Sequence, residues 1–106
     1  MTMQEYISQK FQSFGITISE ADALDMCLNA KITSIEEEVS ANNIDRIQVG
    51  IAHFIPTLLL RATSISESGF SMSWNIEGIK AYYSYLCKRY GLTDELNTDK
   101  PKVKFL

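Results

Sequence analysis

Apolar residues recur along this chain at helical spacing in several stretches, and at a different spacing in one short run. From Met3 to Phe14, residues Tyr6, Ile7, Phe11 and Phe14 return every three or four positions, which predicts one buried helix face, and Gly15 follows as a left-handed stop. Ser19 can cap a second helix, with Asp22 three positions on in a weak capping box. That helix is expected to reach Ala30 with Ala21, Leu24, Cys27 and Leu28 as its apolar stripe. Between the two, Ile16 and Ile18 flank Thr17 and can staple the turn.

Thr33 and Ser34 ahead of Glu36 and Glu37 spell a doubled capping box, predicting one or two helical turns through Val39 and a break over 40–43. A longer helix is expected after Asn42 or Asn43, over residues 44 to about 63. Ile44, Ile47, Ile51, Phe54, Ile55, Leu58 and Ala62 trace one face, while Val49, Leu59 and Leu60 add apolar groups elsewhere. A helix apolar most of the way round is buried, in its own domain or beneath a neighbouring copy. Pro56 should kink it, and Gly50 allows another helix to come close. The last helix is expected over 76–90, capped by Asn75 and closed by Gly91. Its core stripe reads Ile76, Ile79, Tyr83, Leu86 and Tyr90, with Tyr82 and Tyr85 lying off it.

The exception to helical spacing precedes that helix. Phe70, Met72 and Trp74 alternate with Ser71 and Ser73, which predicts an extended strand with one apolar face. A lone strand cannot satisfy its own backbone. Its partner in this chain would be the tail, where Val103 and Phe105 alternate with Lys102 and Lys104. The alternatives are an extended loop packed on helices, or strand addition to another subunit. The fold expected is mainly α: a small bundle of four to five helices, a short strand or hairpin element at about 68–74, and an extended C-terminal tail. Residues 1–92 would form a single helical domain and 93–106 a polar tether and tail.

Composition changes this picture little. At 106 residues, 45 % of them hydrophobic and 22 % charged, the chain suits one globular domain. No apolar run approaches the length of a transmembrane helix, and the N-terminus lacks the build of a signal peptide, so cytoplasmic synthesis and no membrane partner are expected. Charge adds more. Residues 1–77 carry four Lys/Arg against ten Asp/Glu, and residues 78–106 six against three, giving −6 and +3. Complementary ends of this kind can steer one molecule onto another.

Candidate chemistry is sparse. Cys27 and Cys87 stand alone, with no CxxC or HxxxH spacing, and read as two reduced, buried thiols. His53, the single histidine, reads as a packed residue with one satisfied nitrogen. Glu36, Glu37 and Glu38 diverge by about 100° per residue on a helix and cannot converge on one ion. No catalytic residue, metal, cofactor or small-molecule substrate is expected, since no nucleophile, acid–base pair or ligand set can be named.

The order of these elements resembles the small head–tail connector (adaptor, or head-completion) proteins of tailed phages and prophages. The resemblance rests on the N-terminal helix pair with its acidic second member, the hydrophobic central helix, the stretch SESGFSMSWN and the following IKAYYSYLCKRYGL. It departs at Pro56 and at the tail PKVKFL. It implies a non-enzymatic ring of identical subunits beneath the portal, in the virion, with itself, the portal and tail-completion proteins as partners. The interface candidates are Phe70, Met72 and Trp74, the off-stripe Tyr82 and Tyr85, and the tail residues Lys102, Val103, Lys104, Phe105 and Leu106. Two rivals are a small intracellular protein-interaction module and a helix-turn-helix regulator. The regulator is disfavoured because glutamates head its reading helix and phosphates would repel them. No specific nucleic-acid binding is expected.

Overall fold

A computed structural model describes residues 1–65 and 74–96, and within them the chain is a small helical bundle. Its four described helices are α1 (Met3–Gln12), α2 (Glu20–Asn29), α3 (Ile44–Ile65) and α4 (Ile76–Tyr90). Helix α1 packs on α2, α2 on α3, and α3 on α4. The core collects Met3, Ile7 and Phe11 of α1, Met26 and Cys27 of α2, Ile47, Ile51, Ile55 and Leu58 of α3, and Ile79, Tyr83 and Leu86 of α4. The expected strand up to residue 73 and the tail over 97–106 lie outside the described residues, as do Phe70, Met72, Lys102, Val103, Lys104, Phe105 and Leu106.

The start of α1 explains the largest departure from expectation. Thr2 Oγ1 accepts from the Glu5 amide at 3.2 Å, and the Glu5 carboxylate accepts from the Thr2 amide at 2.9 Å, which completes a capping box. The Met3 and Gln4 amides donate to the carbonyls of Glu37 (2.8 Å) and Ile35 (2.9 Å). The expected helix over 33–39 is therefore replaced by turns and an isolated bridge between Thr2 and Glu38. A helix there would turn the Ile35 carbonyl to the Val39 amide, whereas here that carbonyl caps α1 and Val39 donates to the Met1 carbonyl at 2.9 Å. Ser34 still accepts from the Glu36 amide at 3.0 Å, but it stabilises only a local turn. The helix-turn-helix rival loses its second helix with this segment.

Asn43 anchors the next element. It is buried, and its side chain accepts from the Ser40 amide (2.8 Å) and donates to Glu37 Oε2 (2.9 Å) and the Glu38 carbonyl (2.8 Å). Three bonds from one amide fix the loop before α3 and leave little of a costly buried polar group unsatisfied. Helix α3 then continues through Pro56.

Helix α2 turns a different face inward from the one expected. Ala23, Met26, Cys27 and Ala30 are buried, while Ala21, Leu24 and Leu28 are exposed. Two apolar stripes compete on this helix, and the approach of α3 decides between them. A Cβ added at Gly50 would lie 2.6 Å from the Met26 carbonyl oxygen and 3.1 Å from the Ala30 Cβ. The small side chain of Ala30 allows this close approach, and a face carrying Leu24 and Leu28 would hold the helices apart.

Smaller differences follow the same logic. His53 is exposed on the outer side of α3 rather than packed, and Leu60 is exposed as well. Cys27 and Cys87 are free and buried, and burial raises the pKa of both thiols. Past Gly91, whose φ of 67° closes α4, residues 92–96 turn back. Tyr83 Oη donates to the Thr93 carbonyl (3.4 Å) and accepts from the Glu95 amide (2.9 Å), which ties residues 93–95 to α4.

Candidate functional site

Two outward helix faces and one polar cluster stand out among the described residues. On α2, Ala21, Leu24 and Leu28 stand at i, i+3 and i+7, a single stripe between Glu20 and Asp25. Leu24 is 39 % and Leu28 54 % exposed, one turn apart on the same face. The helix is held in place from its other side: Arg61 of α3 grips Asp22 with two bonds, at 2.7 and 3.1 Å. That guanidinium lowers the Asp22 carboxyl pKa below its ordinary value.

On α4 the outward face carries Ala81, Tyr85, Lys88 and Arg89, with Glu77 at the helix start. Tyr85 is 54 % exposed, and its hydroxyl accepts from Arg89 at 3.4 Å. Arg89 also donates to the Tyr90 hydroxyl at 3.2 Å and lies over the Tyr90 ring. Tyr85 is thus an interface candidate that the structure places in the open. Tyr82, the other off-stripe tyrosine, packs inward against Phe14, with ring centroids 5.7 Å apart. Its hydroxyl is buried and meets no hydrogen-bonding partner among the described residues, and burial raises its pKa strongly. Trp74 is half-buried against the core, just before the Asn75 cap, whose amide donates to the Phe14 carbonyl at 2.8 Å.

The polar cluster joins α1, α3 and α4. Gln48 Nε2 donates to Tyr6 Oη at 3.0 Å. The Tyr90 hydroxyl lies within hydrogen-bonding reach of Gln48 Oε1 and of Asp45 Oδ1 at 2.9 Å. The Lys10 ammonium sits 5.3 Å from the Tyr6 ring centroid and 5.8 Å from that of Tyr82, within cation–π range of both. These groups tie helices together, and Tyr6 and Lys10 also line an open pocket with Met1, Gln9 and Ser13.

The three adjacent glutamates are used separately: Glu37 holds Asn43, and Glu38 pairs with the Met1 amine at 3.1 Å. Among the described residues no three His, Cys, Asp or Glu side chains are grouped to hold a metal ion. None of the described helices is long and apolar enough to cross a membrane. The exposure of Tyr85 is legible because it falls off the core stripe. That of Leu24 and Leu28 is hidden because their spacing is as helical as that of the true core face.

A family model, described as "Family of unknown function (DUF6706)", matches residues 1–105. No curated protein and no solved structure matches the chain.

Proposed function

The chain belongs to the DUF6706 family of unknown function, and we propose that it is a non-enzymatic structural subunit of a phage or prophage particle. In this reading it forms a homo-oligomeric ring at the head–tail junction beneath the portal, touching the portal and tail-completion proteins. The observation that carries it is the pair of exposed faces on one small bundle, an acid-flanked apolar stripe on α2 and a base-flanked one on α4. A subunit repeated around a ring needs two unlike faces, one for each neighbour. The order of elements along the chain, which resembles that of connector proteins, supplies the location.

Virion content tests the reading. Particles induced from a host carrying the gene should contain the chain at a fixed ratio to portal protein. Deleting the gene should leave filled heads and free tails that fail to join in electron micrographs. Complete, infectious particles without the chain would overturn the assignment.

A further inference from the structure

We propose that α2 of one subunit docks antiparallel on α4 of the next, burying Ala21, Leu24 and Leu28 against Ala81 and Tyr85 between complementary charges. This rests on the reading of the chain as a self-assembling subunit, and it names the contact by which the subunits join.

The two faces match in length and in charge order. Ala21 to Leu28 and Ala81 to Lys88 each span seven positions, about 10 Å of helix. Glu20 opens α2 and Lys31 follows its end; Glu77 opens α4 and Lys88 lies near its end. Both pairs are eleven positions apart in sequence, Lys31 standing in the left-handed turn (φ 64°) just past α2. Antiparallel docking sets Glu20 beside Lys88 and Lys31 beside Glu77, with Leu24 near Ser84 and Tyr85 and with Leu28 near Ala81. A parallel arrangement would oppose Glu20 to Glu77 and Lys31 to Lys88, like against like at both ends. The helix dipoles favour the same choice, because each positive end then meets a negative one. Asp25 and Arg89 lie beside the two stripes and add to the acidic character of one face and the basic character of the other. Lys80, level with Leu28, can lay its methylene stem over that side chain and turn its ammonium toward the carbonyl end of α2.

The faces are also available at the same time. Helix α2 meets α3 at Gly50 and Arg61, whereas α4 meets it at Gln48 and Asp45. Gly50 and Gln48 point roughly 200° apart around α3. The two docking faces therefore belong to different flanks of the bundle, so each subunit can hold two neighbours. The contact is heterologous, and repeating it generates a ring or a filament.

Charge exchange in the full-length chain tests this, read by sedimentation velocity over a range of concentrations. Glu20→Lys with Asp25→Lys gives one variant, and Lys88→Glu with Arg89→Glu gives the other. Each alone should weaken self-association by about tenfold or more, and an equimolar mixture should recover it, since the reversed faces complement each other. Chains carrying Leu24→Cys mixed with chains carrying Tyr85→Cys should form a disulfide-linked heterodimer on mild oxidation. This second measurement leaves the charged residues intact, so it stands if a charge variant misfolds. Wild-type assembly that neither reversal weakens, with no cross-link, would overturn the α2–α4 contact while leaving a ring built another way. A wild-type chain that stays monomeric throughout would overturn the contact too, and virion content then decides the head–tail role separately.

Discussion

Helix α3 is held on two sides by opposite means. Against α2 the approach is close, with Gly50 against the Met26 backbone and Ala30, and the Asp22–Arg61 pair at one end. Against α1 and α4 the apolar core, with Phe11 edge-on to Phe54, is joined by a polar cluster of Gln48, Tyr6, Tyr90 and Asp45. The first depends on shape: a single methyl group has nowhere to go. The second depends on hydrogen bonds between long side chains, which can adjust. A close seam fixes the distance between two helices, whereas a polar seam fixes which groups must face each other.

Four measurements would break or sharpen that contrast. Met26→Ala should cost most, about 2–5 kcal/mol in urea unfolding, because the Met26 side chain is fully buried in the core and its removal leaves a cavity. Gly50→Ala should cost about 1–3 kcal/mol, overpacking the Met26 carbonyl. That loss should appear despite the roughly 1 kcal/mol that alanine gains over glycine in helix propensity. If Gly50→Ala is neutral, the seam is not tight. Tyr90→Phe should cost only about 0.5–1.5 kcal/mol, the net worth of an ordinary hydrogen bond. A loss equal to that of Met26→Ala would erase the distinction between the seams.

The smallest effect is expected at Tyr82. Its hydroxyl is buried without a described partner, so Tyr82→Phe should be neutral or slightly stabilising at pH 7. Its consequence appears in alkali. Burial raises the Tyr82 pKa above the ordinary value of 10, and Tyr83 is pushed up to about 12 for the same first reason. Groups whose folded pKa is raised give stability that is complete below the unfolded value and lost as pH climbs beyond it. The melting temperature should therefore fall above about pH 10, the unfolded tyrosine value. The fall should be shallower in Tyr82→Phe, and equal slopes in both proteins would show that Tyr82 plays no part.

The sequence reveals its helices through their ends. Ser19, Asn75 and Gly91 are caps in the structure as in the reading, because each acts through bonds to residues only a few positions away. What stays hidden depends on distant partners. The capping-box spelling at 33–37 is a real helix signal, overridden because α1, thirty residues earlier, takes the carbonyls of Ile35 and Glu37. The inward face of α2 is hidden for a related reason. Both stripes have helical period, and only the proximity of Gly50, twenty residues on, selects the one with smaller side chains. Of the candidate contacts, Tyr85 is legible as an off-stripe residue, and Tyr82, equally off-stripe, is drawn inward by Phe14.

The clasp at the start of α1 has a consequence in time as well as in space. First-turn amides of a helix ordinarily fray and trade their hydrogens with solvent quickly. Here the Met3 and Gln4 amides are held by carbonyls more than thirty residues away, so they can exchange only when that loop lifts off. Deuterium uptake at these two amides thus reports the opening of residues 35–39, a slow clock set at what would otherwise be the loosest end of the helix.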